Sequence, residues 1–220
     1  MNIIMKLILI RHAKMAGDPF ATPPSPVTGC LAKEGIAQAE SLASALAETP
    51  IDVALTSPYG RAVETAERTL AGRGIPIVRV SGLEEWMPSA AFRNAVSTEA
   101  EAMLARDRNR FAEETWKTEL GEGVYDLLAR TVPALLDALA REGWHNRAGG
   151  WVPDTGTESK TIAVFAHGGS LNALLSFLLG VRPFPVGAFS FTYCGVATVD
   201  FTERKGVYYP SLRIESATVR

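Results

Sequence analysis

Apolar residues run unbroken from Leu7 to Ile10 in KLILIRH, which predicts a strand over Lys6–Ile10 that is buried on both faces. The next pattern is different. In KEGIAQAESLASALAE, residues Ile36, Ala39, Leu42, Ala43 and Leu46 recur at helical spacing, so 33–48 is expected to be a helix. The Pro-rich stretch GDPFATPPSPVTG between them reads as a loop. The spacing then predicts a strand at Asp52–Thr56, a helix at Tyr59–Ala71 and a strand at Ile75–Val80. Two long helices are expected at Glu99–Glu119 and Val124–Arg141, and GWHNRAGGWVPDTGTES reads as a polar, Gly-rich loop. Thr161–Ala166 is a further strand and Ser170–Leu179 a helix. The tail segments Phe189–Tyr193, Val196–Phe201 and Val207–Ile214 alternate as antiparallel or edge strands do.

Strands alternating with helices of this length predict an α/β fold, a three-layer α/β/α sandwich whose central sheet is mostly parallel. The 220 residues, 47% of them apolar, suit one domain over 1–220. Residues at about 87–120 are the expected helical insert, a lid over the active site. No internal repeat is visible.

Charge narrows the partners. With 22 Lys and Arg against 24 Asp and Glu, the net charge is −2, so no nucleic-acid or acidic-membrane partner is expected and any anion site must be local. Cys30 and Cys194 lie far apart with no CxxC spacing, which fits a reducing compartment. The start MNIIMKLILIRH meets Arg11-His12 where a signal peptide would offer small residues. No apolar run reaches the roughly 18 to 20 residues a membrane helix needs, so a cytoplasmic protein is expected.

Ligands of open α/β sheets bind at the carboxyl ends of strands. Those ends carry Arg11-His12, then Thr56-Ser57-Pro58-Tyr59-Gly60-Arg61, then Glu84-Glu85, then His167-Gly168-Gly169. Arginine forks suit phosphoryl oxygens, and two of them imply a dianion. A neutral imidazole can attack phosphorus, a second can hold the equatorial oxygens, and a carboxyl can protonate the leaving alkoxide. Each residue alone also has a structural reading: a strand-end histidine is commonly just hydrogen-bonded, and Arg61 shares its helix with Glu64 and Glu67. The combination favours chemistry. His145 lies away from a strand end and reads as surface. No HxxxH, HxH or cysteine spacing supports a metal site. FAHGGS faintly resembles the HGG loop of lipase-like hydrolases, but no GxSxG elbow accompanies it.

In this order the segments resemble the histidine phosphatase superfamily, the phosphoglycerate mutase-like proteins. LILIRHA is similar to LxxxRHG, LAKEGIAQAESLA to LTxxGxxQAxxLA, TSPYGRAVETA to TSPxxRAxQTA, and VFAHGGSLNALL to VxHGxxxRxLL, while GLEEW falls in the region that carries the family's acid. The resemblance implies that His12 becomes a phosphohistidine, that Arg11, Arg61 and His167, with Gly168, form the phosphate pocket, and that Glu85 is the proton donor, with Glu84 as the alternative. It also implies no cofactor and no metal. A homodimer would be in keeping with the family.

Several positions depart from the family pattern. Ala13 replaces a Gly after His12, and Met15 and Asp18 stand where Thr and Asn are usual, so that Thr28 or Gly29 is left to fill the phosphate contact. Gly121-Glu122-Gly123 is similar to a Gly-Glu-Ser helix start without its Ser, with Glu122 free to accept from His167 or an arginine. Family mutases use an adjacent Arg pair in the insert. Here Arg93, Arg106, Arg108 and Arg110 are not adjacent and lie among acidic residues. Trp86, Met87, Phe92 and Trp116 suggest an apolar lid, although core of the inserted helices is the reading preferred for them. The expectation is therefore a phosphatase acting on a small-molecule phosphomonoester or a phosphoprotein. The alternatives are a mutase and a non-catalytic phosphate-ligand binder.

Overall fold

The computed structural model describes residues 5–17, 30–107, 116–147, 150–182 and 188–213. Among the described residues, eight strands form one sheet: β1 (Met5–Arg11), β2 (Val53–Thr56), β3 (Ile77–Arg79), β4 (Trp144–Arg147), β5 (Gly150–Pro153), β6 (Thr161–Ala166), β7 (Val196–Arg204) and β8 (Val207–Arg213). The described helices are α1 (Lys33–Ala45), α2 (Gly60–Thr69), α3 (Ala90–Asn94), α4 (Ser97–Asp107), α5 (Val124–Arg141) and α6 (Gly168–Leu179).

The strand order is β3-β2-β6-β1-β7-β8-β5-β4. β3, β2, β6 and β1 run parallel, and β7, β8, β5 and β4 extend the sheet by antiparallel pairing. The continuous apolar run of β1 is explained by two cores. Met5, Leu7 and Leu9 point into one with Leu135, Leu171, Leu174 and Phe201, while Ile8 and Ile10 point into the other with Leu42, Ala54, Ala66 and Phe165. Helices α5 and α6 cover the first face and α1 and α2 the second, so each apolar side chain of β1 contributes roughly 1.5–3 kcal/mol through burial. This is the expected three-layer sandwich, but the sheet is not mostly parallel as expected: three of its strand pairings are parallel and four antiparallel, because the β4–β5 hairpin and the β7–β8 pair extend it from the β1 side.

The structure differs from the sequence reading in several places. Residues 143–159, expected to be a loop, contain the β4–β5 hairpin, because Trp144 and Trp151 both pack edge-on against Phe201 at 5.4 and 5.5 Å and are fully buried. Phe189–Tyr193 is not a strand. Its carbonyls are used elsewhere: that of Phe191 accepts from Arg11 and that of Thr192 from Gly195 N–H. Of the helix expected over Glu99–Glu119, residues 99–107 are helical within Ser97–Asp107 and residues 108–115 lie outside the described residues, while Trp116–Leu120 is not helix and leads into a turn closed by the Thr118–Gly121 bridge. Gly121 has φ +142°, and a Cβ there would lie 2.2 Å from the Met87 carbonyl oxygen. Trp86, Met87 and Phe92 are half-buried and Trp116 is exposed, so none of the four is core.

Candidate active site

The ladder register sets the site. Arg11 pairs with Ala166 and Thr56 with Phe165, so β1, β6 and β2 end at one height. The next residue of each strand, His12, His167 and Ser57, forms the rim. Their backbones are locked: His12 N–H donates to the Ala166 carbonyl and Ser57 N–H to the Phe165 carbonyl, both at 2.9 Å. Arg61 enters from the first turn of α2. Thr65 couples that turn to the histidine loop, donating to the Arg61 carbonyl at 2.6 Å and accepting from Ala13 N–H at 3.0 Å.

At the centre, the Arg61 Nε–H is shared between His12 Nε2 at 3.3 Å and His167 Nδ1 at 3.2 Å. A guanidinium only donates, so both ring nitrogens accept. His12 Nδ1 therefore holds its proton and gives it to the Ala13 carbonyl at 2.8 Å, leaving a lone pair on Nε2. His167 Nε2 likewise donates to Ser57 Oγ at 2.8 Å. Both imidazoles are neutral. Burial, aided by the Arg61 and Arg11 charges and opposed by the Ala13 carbonyl, pushes His12 down from 6.5 to about 3. Burial holds His167 well below its ordinary value, with His12, Arg61 and Arg11 acting in the same direction. Burial also lowers Arg61, while the nearby Glu85 raises it.

Arg11 lies across the rim, with Nη1 donating to the Phe191 carbonyl at 2.6 Å and its guanidinium 4.4 Å from the centre of the Tyr193 ring. Its Nε is buried and without a hydrogen-bond partner among the described residues, so it is a donor available to an anion. Tyr193 also stands 5.7 Å from His12, and Tyr59 takes the matching position beside Arg61 at 5.0 Å and His167 at 5.3 Å. Each arginine thus has a tyrosine ring within cation–π distance.

Of the two adjacent glutamates, Glu85 faces this cluster. Its carboxylate accepts from Gly169 N–H at 3.0 and 3.2 Å and from its own neighbour Trp86 N–H at 2.8 Å. Glu84 turns away to Gly82 N–H and Arg130. A Cβ at Gly168 would lie 3.7 Å from Arg11 Cζ and 3.9 Å from Glu85 Oε2, so Gly168 lies between the arginine and the carboxylate. Glu122 does not reach either histidine; it is taken up by Arg130. Glu64 does not neutralise Arg61 but binds Arg68 and the backbone N–H groups of Cys30 and Leu31. Met15 is buried and bridged to Leu31, whereas Asp18, Thr28 and Gly29 lie outside the described residues. His145 sits on β4 and contacts Asp154 at 3.2 Å, remote from the rim.

The rim thus holds two arginines, two neutral imidazoles and one carboxylate. A family model, histidine phosphatase superfamily (branch 1), matches residues 7–209. The chain belongs to that superfamily. Phosphoserine phosphatase 1 of Hydrogenobacter thermophilus is 23% identical over 206 residues, 93% of this chain and 90% of that protein. Among solved structures, the α-ribazole phosphatase of Shigella flexneri aligns with TM-score 0.69 and 20% identity over 96% of this chain and 95% of its own. A mycobacterial glucosyl-3-phosphoglycerate phosphatase aligns with TM-score 0.71 and 19% identity over 95% and 97%. These structures share the fold of this member of the histidine phosphatase superfamily. Among the described residues no group of three or more His, Cys, Asp or Glu side chains is arranged to hold a metal ion, and no helix is long and apolar enough to cross a membrane.

Sequence reasoning about this histidine phosphatase relative missed Ser57, Thr65, Gly169 and Tyr193 as parts of the site, and Arg130 behind the loop that carries Glu85. Ser57 stood in the quoted strand end beside Thr56, and Gly169 in HGG, so both had a visible signal. Arg130, in the middle of an amphipathic helix, had none.

Proposed function

We propose that this chain is a phosphatase that hydrolyses an organic phosphomonoester through a phosphohistidine on His12. The observation that carries this reading is the Arg61 N–H shared by two neutral, buried imidazoles, which leaves His12 Nε2 unprotonated with its lone pair turned to that N–H. Arg11 and Arg61 bind the phosphoryl oxygens, the Arg11 Nε–H takes part of the charge that develops on them, and His167, whose own N–H goes to Ser57, lines the pocket and holds the Arg61 N–H. His12 Nε2 attacks phosphorus, the P–O bond to the alcohol breaks, and Glu85 gives that oxygen a proton. Water then displaces the phosphoryl group from His12, with its proton taken by the Glu85 carboxylate. Residues 1–220 act as one domain, and residues at about 87–120 act as the lid that selects the alcohol.

The test is turnover of p-nitrophenyl phosphate and an alkyl phosphate in the presence of chelator. His12→Ala is expected to abolish it, and acid-labile phosphate is expected on the wild-type chain. A His12→Ala variant with wild-type turnover refutes the reading.

A further inference from the structure

Among the described residues, the largest ionic cluster close to the site but not used in the steps above is Arg130 with Glu122 and Glu84. Arg130 projects from the second turn of α5. Its Nε and Nη2 grip both oxygens of Glu122 at 2.8 and 2.7 Å. Its remaining hydrogens go to the loop that carries Glu85. Nη1 donates to the carbonyls of Gly82 at 2.9 Å and Glu84 at 3.2 Å and to the Glu84 carboxylate at 3.3 Å, and Nη2 donates to the Glu85 carbonyl at 3.2 Å. Glu122 completes the seat from the other side, accepting from Met87 N–H at 3.0 Å, while its own carbonyl accepts from Trp86 Nε1 at 2.6 Å.

A pair that serves stability alone needs no such address. Exposed ion pairs are worth little, and a half-buried one gains most from a single bidentate partner. Arg130 has that partner in Glu122 and in addition spans three carbonyls of one irregular loop, with the loop's functional carboxylate at the far end. Among the described residues the Glu85 carboxylate accepts from Gly169 N–H and Trp86 N–H, so its position depends on where the loop backbone lies.

We propose that Arg130 and Glu122 are positioning residues that fix the backbone of residues 82–87 so that the Glu85 carboxyl stands on Gly169 N–H. Glu122 also anchors the turn at Thr118–Gly121 through its N–H bond to the Met87 carbonyl at 3.0 Å, so the base of the insert and the seat of the acid share one clamp. The role given to Glu85 rests on the phosphatase reading; the placement of its carboxyl does not.

The experiment compares Arg130→Lys and Glu122→Gln with Glu85→Gln, using kcat/KM for p-nitrophenyl phosphate and for an alkyl phosphate. This ratio covers events up to P–O cleavage, and an alkoxide needs the acid where p-nitrophenolate does not. A loss of about tenfold or more on the alkyl ester, with p-nitrophenyl phosphate within about twofold, is expected for both variants, as a weaker copy of Glu85→Gln. Equal loss on both esters, or none on the alkyl ester, overturns the proposal. Glu122→Gln keeps the volume and one acceptor, which covers the case in which Arg130→Lys fails to fold. Crystal structures of the variants give a readout that needs no turnover: a Glu85 carboxylate withdrawn from Gly169 N–H supports the proposal and an unmoved one overturns it. Wild-type protein inactive on both esters would sink the phosphatase reading while leaving that structural arm decisive.

Discussion

Replacing Gly169 with alanine adds one methyl to the second position of α6, and a Cβ built there falls 2.4 Å from Glu85 Oε1. Ordinary contact begins near 3.4 Å, so the oxygen must retreat by about 1 Å. The obstructing atom is the tip of a flexible side chain, and the next nearest residue, Leu127, is at 3.7 Å, so the backbone has no cause to move. The helix gains about 0.5–1 kcal/mol when Gly becomes Ala. The half-buried carboxylate loses a charge-assisted bond that water partly replaces. The two nearly cancel, which leaves the melting temperature within about 4 °C of wild type. Activity should not be spared. A displacement on the order of 1 Å at a proton donor costs about 10²-fold. We therefore expect Gly169→Ala to melt normally, to bind inorganic phosphate as wild type does by calorimetry, and to lose about 10²-fold in kcat/KM on an alkyl phosphate. Full kcat/KM on that ester, or a fall of more than about 10 °C in melting temperature, would refute the reasoning.

Two further outcomes follow from the geometry. His12 and His167 are neutral when folded, with His12 at about 3, whereas an unfolded histidine titrates near 6.5. Below about 6.5 the unfolded chain takes up protons that the folded chain does not, so stability is full above that pH and is lost as pH falls towards about 3. Melting temperature against pH should bend downwards there, and nitrogen NMR should find His12 as the neutral Nδ1–H form at pH 5; a His12 signal titrating near 6.5 would contradict the burial argument. Arg61→Lys replaces a planar fork by a point charge and cannot serve both imidazoles from one N–H. Loss of about 1.5–3 kcal/mol of charge-assisted bonding predicts phosphate binding about ten- to a hundredfold weaker by calorimetry, and unchanged binding would remove Arg61 from the pocket.

The parallel half of the sheet was legible because β1, β2 and β6 are short apolar runs ending in polar residues, a pattern that only a doubly covered strand explains. The positions of His12, Arg61 and His167 could be anticipated for the same reason, since strand ends are countable from sequence. The β4–β5 hairpin was not legible. WHNR and GWVP carry no alternation, and what makes them strands is the contact of Trp144 and Trp151 with Phe201 from a distant strand. FSFTY failed in the opposite way: it alternates like a strand, but Arg11 competes for its carbonyl oxygen at Phe191 and wins. Periodicity does not separate Glu84 from Glu85 on a loop, and only the family resemblance favours Glu85, with Glu84 as the alternative. In the structure the Glu85 carboxylate accepts from Gly169 N–H, while Glu84 turns to Gly82 N–H and Arg130.

The common height at which β1, β6 and β2 end has a consequence for how the site comes into being. Arg61 meets His12 across 49 positions of chain, His167 across 106, and Ser57 meets His167 across 110. None of these contacts is local, so none can form before the loops between them have closed and the β1–β6–β2 ladder has zipped into register. A nascent chain that stops short of β6 owns His12, Arg61 and Glu85 but no rim on which to set them. The phosphate affinity proposed for the rim should then appear during refolding only once the β1–β6–β2 ladder has closed.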